Sequence, residues 1–259
     1  METVIPRLLH LPPVASAHGA QVDRLLFYVH LLMFTLFIGW SLFFLYSLWR
    51  FRVRRHPRPD PAGVRSHWSS YLEVGVAVTE AFLLVAFAIP IWARSAAAGN
   101  FPSEKESTVV RIIGRQFNWI ARYAGPDGVF GRADAALISA QNPLGIDPGD
   151  AAGLDDIVVD NSEIVVPVDK PVIAHVSSLD VIHSFSVKPL RVTQDAVPGL
   201  SIPIWFKPTV AGTYQINCAQ LCGNGHANMR GVLKVVSAAE FEDFVRAKAR
   251  AGRAAASYE

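Results

Sequence analysis

Residues 213–236, TYQINCAQLCGNGHANMRGVLKVV, contain the pattern that decides the fold of the C-terminal part of the chain. Two short runs rich in β-branched and aromatic residues, at 213–217 and 231–236, predict a pair of strands. The loop between these strands carries Cys218, Cys222, His226 and Met229. Thiolate, imidazole and thioether ligands together favour copper, and strands on both sides of the loop can hold such ligands rigidly.

A fifth candidate ligand, His183, lies upstream in SLDVIHSFSV (178–187), just before another predicted strand. Two bridging thiolates with one histidine on each side can hold two copper ions, and a coupled pair that shares one unpaired electron favours fast one-electron transfer. Each residue alone has an ordinary alternative: a local disulfide between the cysteines, a surface histidine, or a core methionine. A structural zinc site is also open, although zinc has no use for a thioether. The joint pattern C-x3-C-x3-H-x2-M favours copper.

More short strands are predicted across roughly 105–236, with Pro, Gly and Asp between them, which indicates an all-β sandwich or barrel. The stretch 124–162 has little pattern of its own; together with Glu163 it carries eight acids against the single base Arg132. These acids, Asp155 and Asp156 among them, could attract a lysine-rich electron donor, or they could belong to a solvated loop. Beyond the strands, Ser237 and Glu240 have capping-box spacing and predict a helix.

Towards the N-terminus, residues 25–49 and 71–93 form two apolar runs long enough to span a bilayer. The alternative is a buried helix of a soluble protein, which is usually shorter. The loop between the runs carries six arginines against Asp60, which predicts a cytoplasmic loop and an extracytoplasmic β domain.

The predicted organisation has four parts. Residues 1–24 form an extracytoplasmic segment in which Ala15-Ser16-Ala17 resembles a cleavage site, although the stretch before it is a poor signal sequence. Residues 25–94 form a transmembrane hairpin, 95–236 the β domain with its acidic insertion, and 237–259 a helical tail. The formal net charge of +2 gives no reason to expect a nucleic-acid partner.

Three stretches resemble cytochrome c oxidase subunit II. CAQLCGNGHANM at 218–229 resembles the copper A loop of that family, DVIHSFSVKPLRVTQDAVPG at 180–199 resembles the stretch around its first histidine, and GRQFNWIARY at 114–123 resembles its aromatic motif. The resemblance implies a cupredoxin-like β-sandwich behind a two-helix membrane anchor. It also implies that two copper ions are bound by the side chains of His183, Cys218, Cys222, His226 and Met229, and by the backbone carbonyl of Gln220.

By the same resemblance the chain is the electron-input subunit of a terminal oxidase in a bacterial inner membrane, with its copper domain on the periplasmic side. Electrons would pass to haem in subunit I, where O₂ is reduced and protons are pumped, and subunit III is a further expected partner. The sequence contains no C-x-x-C-H, the pattern that attaches c-type haem. The donor is therefore expected to be a separate cytochrome c or another subunit with a c-type haem.

The sequence departs from the family pattern at functional positions. Gln220 stands where most members have a glutamate that helps hold Mg²⁺ at the border with subunit I, which puts that site in question, because an amide is a weaker ligand for a hard cation. Phe117 stands where the family has the tryptophan that accepts electrons, so the input could pass over Phe117 or shift to Trp119. Glu73 matches a family glutamate at the mouth of a proton path in subunit I. Glu80, where proline is frequent, is either a buried acid or part of that path.

Three other functions remain open. A copper A subunit of a nitric oxide reductase would have the same electron-input site with a different partner. A nitrous oxide reductase domain of the soluble type is disfavoured by the membrane hairpin. A copper carrier for oxidase assembly needs an exchangeable site, whereas two bridging thiolates favour retention of the metal.

Overall fold

The computed structural model describes residues 9–55, 58 and 66–256. The chain divides into two compact units, one formed by Met1–Leu11 with Gln21–Arg94 and the other by Pro12–Ala20 with Ser95–Glu259. The start of the predicted N-terminal segment, much of the arginine-rich loop and the last three residues lie outside the described part.

The first unit is helical. Helix α1 spans Gly19–Arg50, and the second apolar run is formed by α2 (Trp68–Leu83), a π-helical turn (Leu84–Ala88) and α3 (Ile89–Ala96). Pro90 has no N–H to donate to the carbonyl of Ala86, which accounts for the wider turn just before α3. Both helices are long and apolar enough to cross a membrane, and their most apolar stretches are not buried within this chain. A core helix of a soluble protein would be buried, so the structure fits the predicted membrane anchor.

The second unit is a sandwich of two five-stranded sheets. Its strands are β1 (Thr108–Arg115), β2 (Asn118–Tyr123), β3 (Ile157–Val159), β4 (Glu163–Pro167), β5 (Val172–Ser178), β6 (His183–Val187), β7 (Val192–Ala196), β8 (Ile202–Phe206), β9 (Gly212–Cys218) and β10 (Arg230–Val236). The first sheet has the order β3-β2-β1-β5-β8 and the second β4-β10-β9-β6-β7. Strands β1 and β5 pair in parallel, as do β4 and β10, and the other pairs are antiparallel.

The core lies between the two sheets, where the inward side chains of alternate positions meet. Its largest fully buried side chains include Trp119, Phe185, Phe206 and Leu233. Helix α4 (Ala238–Ala256) follows directly after β10. Ser237 and Glu240 form the predicted capping box, because the backbone N–H of each is bonded to the side chain of the other at 2.9 and 3.3 Å.

The acidic insertion is more ordered than its sequence indicates, and part of it packs on the outer face of the first sheet. The guanidinium of Arg122 forms an ion pair with Asp156 and donates a 2.6 Å hydrogen bond to the carbonyl of Gly131. The side chain of Asp156 has 0% exposure, so neither alternative from the sequence, attraction of a donor or a solvated loop, holds for this residue. Removing one partner of such a buried pair costs about 3–5 kcal/mol.

The remaining acids of the insertion are mostly neutralised locally. Besides Asp156, ion pairs engage Asp147 and Asp150 with Arg132, Asp160 with Arg115, and Glu163 with Lys234. In the described part of the chain, Asp127, Asp134 and Asp155 have no such pair. The negative electrostatic field of this segment is therefore much weaker than its count of eight acids and one base indicates.

The segment before α1 is part of the β unit. Ala15 donates a backbone hydrogen bond to Pro189 and accepts one from Thr209, and the hydroxyl of Ser16 donates to the carbonyl of Leu190 at 2.6 Å. Both Ala15 and Ser16 are buried. The small-residue stretch that resembles a cleavage site is thus packed against the sandwich.

Candidate metal centre

The candidate ligands converge at one end of the second sheet because β6 and β9 are neighbours. Phe185 pairs with Cys218 across these strands, so His183, at the start of β6, lies beside the end of β9. The loop after β9 turns back into β10 and brings Cys222, His226 and Met229 to the same place. The strands therefore position one ligand each, and the loop positions the rest.

The distances connect all five side chains. The two Sγ atoms are 3.8 Å apart, Nδ1 of His183 is 3.9 Å from Sγ of Cys218, and Nδ1 of His226 is 3.6 Å from Sγ of Cys222. The Sδ atom of Met229 is 3.7 Å from Sγ of Cys222. The ligand atoms of His183 and the two cysteines all lie within 4.8 Å of one another, so one group of metal ions can reach the set.

The chemistry of this donor set fits copper. Both cysteines are free thiols, with a sulfur separation well beyond the ~2.05 Å of a disulfide. Burial, and the neighbouring Cys218, raise the pKa of the Cys222 thiol to about 11. A bound cation would oppose this effect and hold both sulfurs as thiolates. A buried thioether beside two thiolates suits a soft metal rather than zinc.

Asp180 orients the first histidine. Its Oδ1 lies 2.8 Å from Nε2 of His183, whose side chain is completely buried. Burial alone would raise the pKa of Asp180, but hydrogen bonds from the N–H of Gln116, from His183 and from the N–H of Val181 leave that pKa below its usual value. An ionised Asp180 can only accept a hydrogen bond, so Nε2 carries the proton and the lone pair of Nδ1 points to the sulfurs.

A glycine lets the histidine lie against the first sheet. A Cβ atom at Gly114 would be 2.9 Å from Cδ2 of His183 and 3.2 Å from the ring of Trp119. Any residue larger than glycine at position 114 would therefore displace the imidazole of His183.

The β1–β2 turn supports the loop from outside. The side-chain amide of Gln116 donates a 2.7 Å hydrogen bond to the carbonyl of Cys222. The ring of Phe117 covers the loop so closely that a Cβ atom at Gly225 would lie 2.4 Å from it, yet Phe117 remains 39% exposed. Phe117 therefore touches both the ligand loop and the solvent.

Trp119, the alternative site of electron input, does not lie at the surface. It points inward on β2, is 0% exposed, and packs edge-on against His183 with ring centroids 6.1 Å apart. Direct contact with a donor protein is therefore closed to Trp119 and open to Phe117.

The other predicted site residues have the following positions. The carbonyl oxygen of Gln220 lies 3.1 Å from Sγ of Cys218, close to the ligand group, while the residue itself is exposed. Glu73 and Glu80 belong to the helical unit and are both exposed along α2. Their side chains make no hydrogen bond or ion pair with any residue that the structure describes.

Two supporting residues, Asp180 and Gln116, escaped the sequence analysis. Asp180 stands three positions before His183 in a stretch that had been singled out. Its spacing could have indicated a carboxylate that orients a ligating histidine. Gln116 has no comparable signal, because its target is a backbone carbonyl 106 residues away in sequence.

Comparison with known proteins gives a consistent family. Residues 108–236 match the family described as "Cytochrome C oxidase subunit II, periplasmic domain". The "Alternative cytochrome c oxidase subunit 2" of Bradyrhizobium diazoefficiens is 34% identical over 232 residues, which cover 88% of this chain and 79% of that protein. The "Cytochrome c oxidase subunit 2" of Cereibacter sphaeroides is 29% identical over 241 residues, which cover 87% of this chain and 75% of that protein.

Among solved structures, the periplasmic domain of subunit II of cytochrome oxidase from Bradyrhizobium japonicum is 28% identical to this chain. The match covers 57% of this chain and 96% of that domain, with a TM-score of 0.42.

Proposed function

The chain belongs to the cytochrome c oxidase subunit II family of haem–copper oxidases, and we propose that its β domain uses two copper ions to receive electrons from a cytochrome c and deliver them to haem in subunit I. The observation that carries the proposal is the convergence of two thiols, two imidazoles and a thioether in one small, partly buried group. When bound, the copper pair would supply a one-electron carrier.

The protein's own residues would hold that pair and limit its rearrangement. The copper ions would be held by the side chains of His183, Cys218, Cys222, His226 and Met229, and by the backbone carbonyl of Gln220. Asp180 sets the tautomer of His183, and Gln116 holds the loop at Cys222. Ligands fixed by strands and by such partners move little when the oxidation state changes, which favours fast electron transfer.

On the donor side, we assign electron input to Phe117. It is the aromatic ring that both covers the ligand loop and reaches solvent. Asp160, which accepts hydrogen bonds from Arg115 and Asn118, stands beside this turn, and Asp180 accepts from the backbone of Gln116. Asp160, which belongs to the insertion, and Asp180 are both bonded to the turn that carries Phe117, so they are the acids that would meet lysines of a cytochrome docked on that ring.

Replacing Phe117 with alanine is expected to slow reduction of the assembled oxidase by cytochrome c by about 30-fold, the effect of losing an aromatic hot spot worth about 2 kcal/mol. Stopped-flow mixing would measure this rate, while the copper spectrum stays unchanged. Phe130→Ala, which removes a ring elsewhere in the β unit, is the control. An unchanged rate in Phe117→Ala would remove this residue from the donor path.

On the acceptor side, the loops that carry the ligands expose apolar side chains. Leu221 stands between the two cysteines and is 80% exposed, and Leu179, Val181 and Ile182 are exposed just before His183. Apolar side chains concentrated on a few loops are typical of a protein–protein contact. We assign this contact to subunit I, where haem would receive the electrons and O₂ would be reduced with proton pumping. Subunit III is a further expected partner.

The arginine-rich loop would lie in the cytoplasm of a bacterial cell, and the β unit in the periplasm. In a variant whose two native cysteines are serines, a cysteine at Ser66 should react only with a membrane-permeant maleimide. A cysteine at Ser139, which is exposed in the insertion, should also react with an impermeant one. Labelling of intact spheroplasts tests both positions, and the reverse pattern would refute the orientation.

A further inference from the structure

Three ionisable side chains lie side by side on the outer face of the first sheet. Arg111 on β1 pairs in register with Arg122 on β2 and with His175 on β5. Neighbouring strands are about 4.8 Å apart, so this row places two guanidinium groups and an imidazole next to one another.

Only one of the two arginines has its charge compensated. Arg122 is paired with Asp156, whereas no described residue accepts a hydrogen bond or forms an ion pair with the guanidinium of Arg111. Arg111 instead lies over the ring of Phe130, 4.3 Å from its centroid. Burial lowers the pKa of Arg111, and the charge of Arg122 lowers it further, although Asp156 partly opposes both.

A cavity of about 800 Å³ opens over this uncompensated charge. Lys105 and Lys170 line it from two loops, and both are exposed without an ion-pair partner among the described residues. The single acid of the lining is Glu104.

The cavity is separate from the metal centre. Arg111 lies three residues before Gly114, which touches His183, on the same strand. At about 3.3 Å per residue the two are about 10 Å apart along β1, and because side chains alternate, Arg111 lies on the opposite face of the sheet.

We propose that this cavity, the Arg111 pocket, binds a phosphate-bearing anion. The planar fork of an arginine binds two phosphate oxygens at once, and two lysines add point charges. The residues that line the pocket thus supply three cations against one carboxylate. Phe241 and Val245 of α4 provide an apolar wall, which leaves room for a non-phosphate portion of the ligand.

The phosphate could come from a soluble phosphorylated metabolite or from the headgroup of an anionic phospholipid. Both sources offer the same chemistry to Arg111, and they differ in whether the ligand is already present in the membrane.

Calorimetric titration of the full-length chain in a zwitterionic detergent with pyrophosphate, at constant ionic strength, tests the proposal. We expect saturable binding at one site per chain. Arg111→Met should weaken it about tenfold or more, as expected for the loss of a charge-assisted pair of hydrogen bonds. The exposed Lys105→Gln/Lys170→Gln double variant should also weaken it severalfold. Lys188→Gln, which removes an exposed lysine outside the pocket, should leave it unchanged.

The same titration in nanodiscs identifies the source. Weaker apparent binding in phosphatidylglycerol than in phosphatidylcholine discs, a difference lost in Arg111→Met, indicates a lipid headgroup; equal binding indicates a soluble ligand. If pyrophosphate binding is not saturable, or if Arg111→Met and the double lysine variant both bind as tightly as the unmodified chain, the proposal is wrong. The lysine variant keeps the test valid should Arg111→Met fail to fold, because both lysines are exposed.

Discussion

Replacing Cys222 with serine is expected to abolish the two-copper centre and with it the oxidation of cytochrome c by the assembled oxidase. The Sγ atom of Cys222 is the hub of the ligand group, within 3.8 Å of the Cys218 sulfur, 3.6 Å of the His226 imidazole and 3.7 Å of the Met229 sulfur. A serine hydroxyl stays protonated near neutral pH and is a poor ligand for a soft metal. Copper per chain and the rate of donor oxidation measure the effect.

Met229→Leu is the matched comparison, because it removes the weakest of the proposed ligands from the same buried group. We expect Met229→Leu to retain both ions with an altered spectrum, while Cys222→Ser loses at least one of them. Metal-free samples of both variants should have β-sheet circular dichroism like that of the unmodified chain. Full donor oxidation by Cys222→Ser would contradict the assignment of this residue.

Replacing Glu73 with glutamine is expected to lower steady-state turnover strongly while cytochrome c still reduces the β domain at the normal rate. Glu73 and Glu80 are seven residues apart on α2, so they share one face and lie about 10 Å apart along the axis. Both are exposed, without partners in the described chain, and a charged group facing lipid costs several kcal/mol. We therefore propose that this face packs on subunit I, where Glu73 would help protons enter.

Glu80→Gln is the matched control on the same face. If protons travel along the whole face, it should impair turnover as Glu73→Gln does. If Glu80 is only a hydrogen-bonded acid within the assembly, its variant should keep full turnover. Oxygen consumption across a wide pH range measures both variants, and full activity of Glu73→Gln throughout would show that this glutamate has no role in proton uptake.

Local patterns in the sequence predicted the main elements of the fold. The two apolar runs, the short alternating strands and the capping box at Ser237 are each visible within a few residues, so neighbours in sequence suffice to recognise them. Helix α1 nevertheless begins at Gly19, six residues before the predicted span. The predicted membrane span was limited to the run without charged residues. A helix can include charged residues such as Asp23 and Arg24, so it extends beyond that run.

Long-range pairing explains what the sequence analysis missed. The insertion has a weak pattern because its stability comes from contacts across the chain, such as Asp156 with Arg122 and Phe130 with Arg111. Acids counted as one surface charge were in fact mostly paired. Similarly, Ala15 and Ser16 show no strand pattern and are held by the distant segments around Pro189 and Thr209.

The distinction between Phe117 and Trp119 was not accessible from strand alternation, because residues two apart in a strand share one face. The two residues differ because Phe117 lies in the turn before β2, which begins at Asn118. The facing direction of Trp119 depends on which face of β2 meets the core, and only the register with β1 and β3 settles that.

Copper analysis with electron paramagnetic resonance of the full-length, copper-loaded chain tests the central claim most directly. The account predicts two copper ions per chain and a spectrum in which one unpaired electron couples to two copper nuclei, because the two thiols stand 3.8 Å apart with an imidazole beside each. One copper per chain with a spectrum of a single nucleus would contradict the two-copper centre and the proposed function built on it.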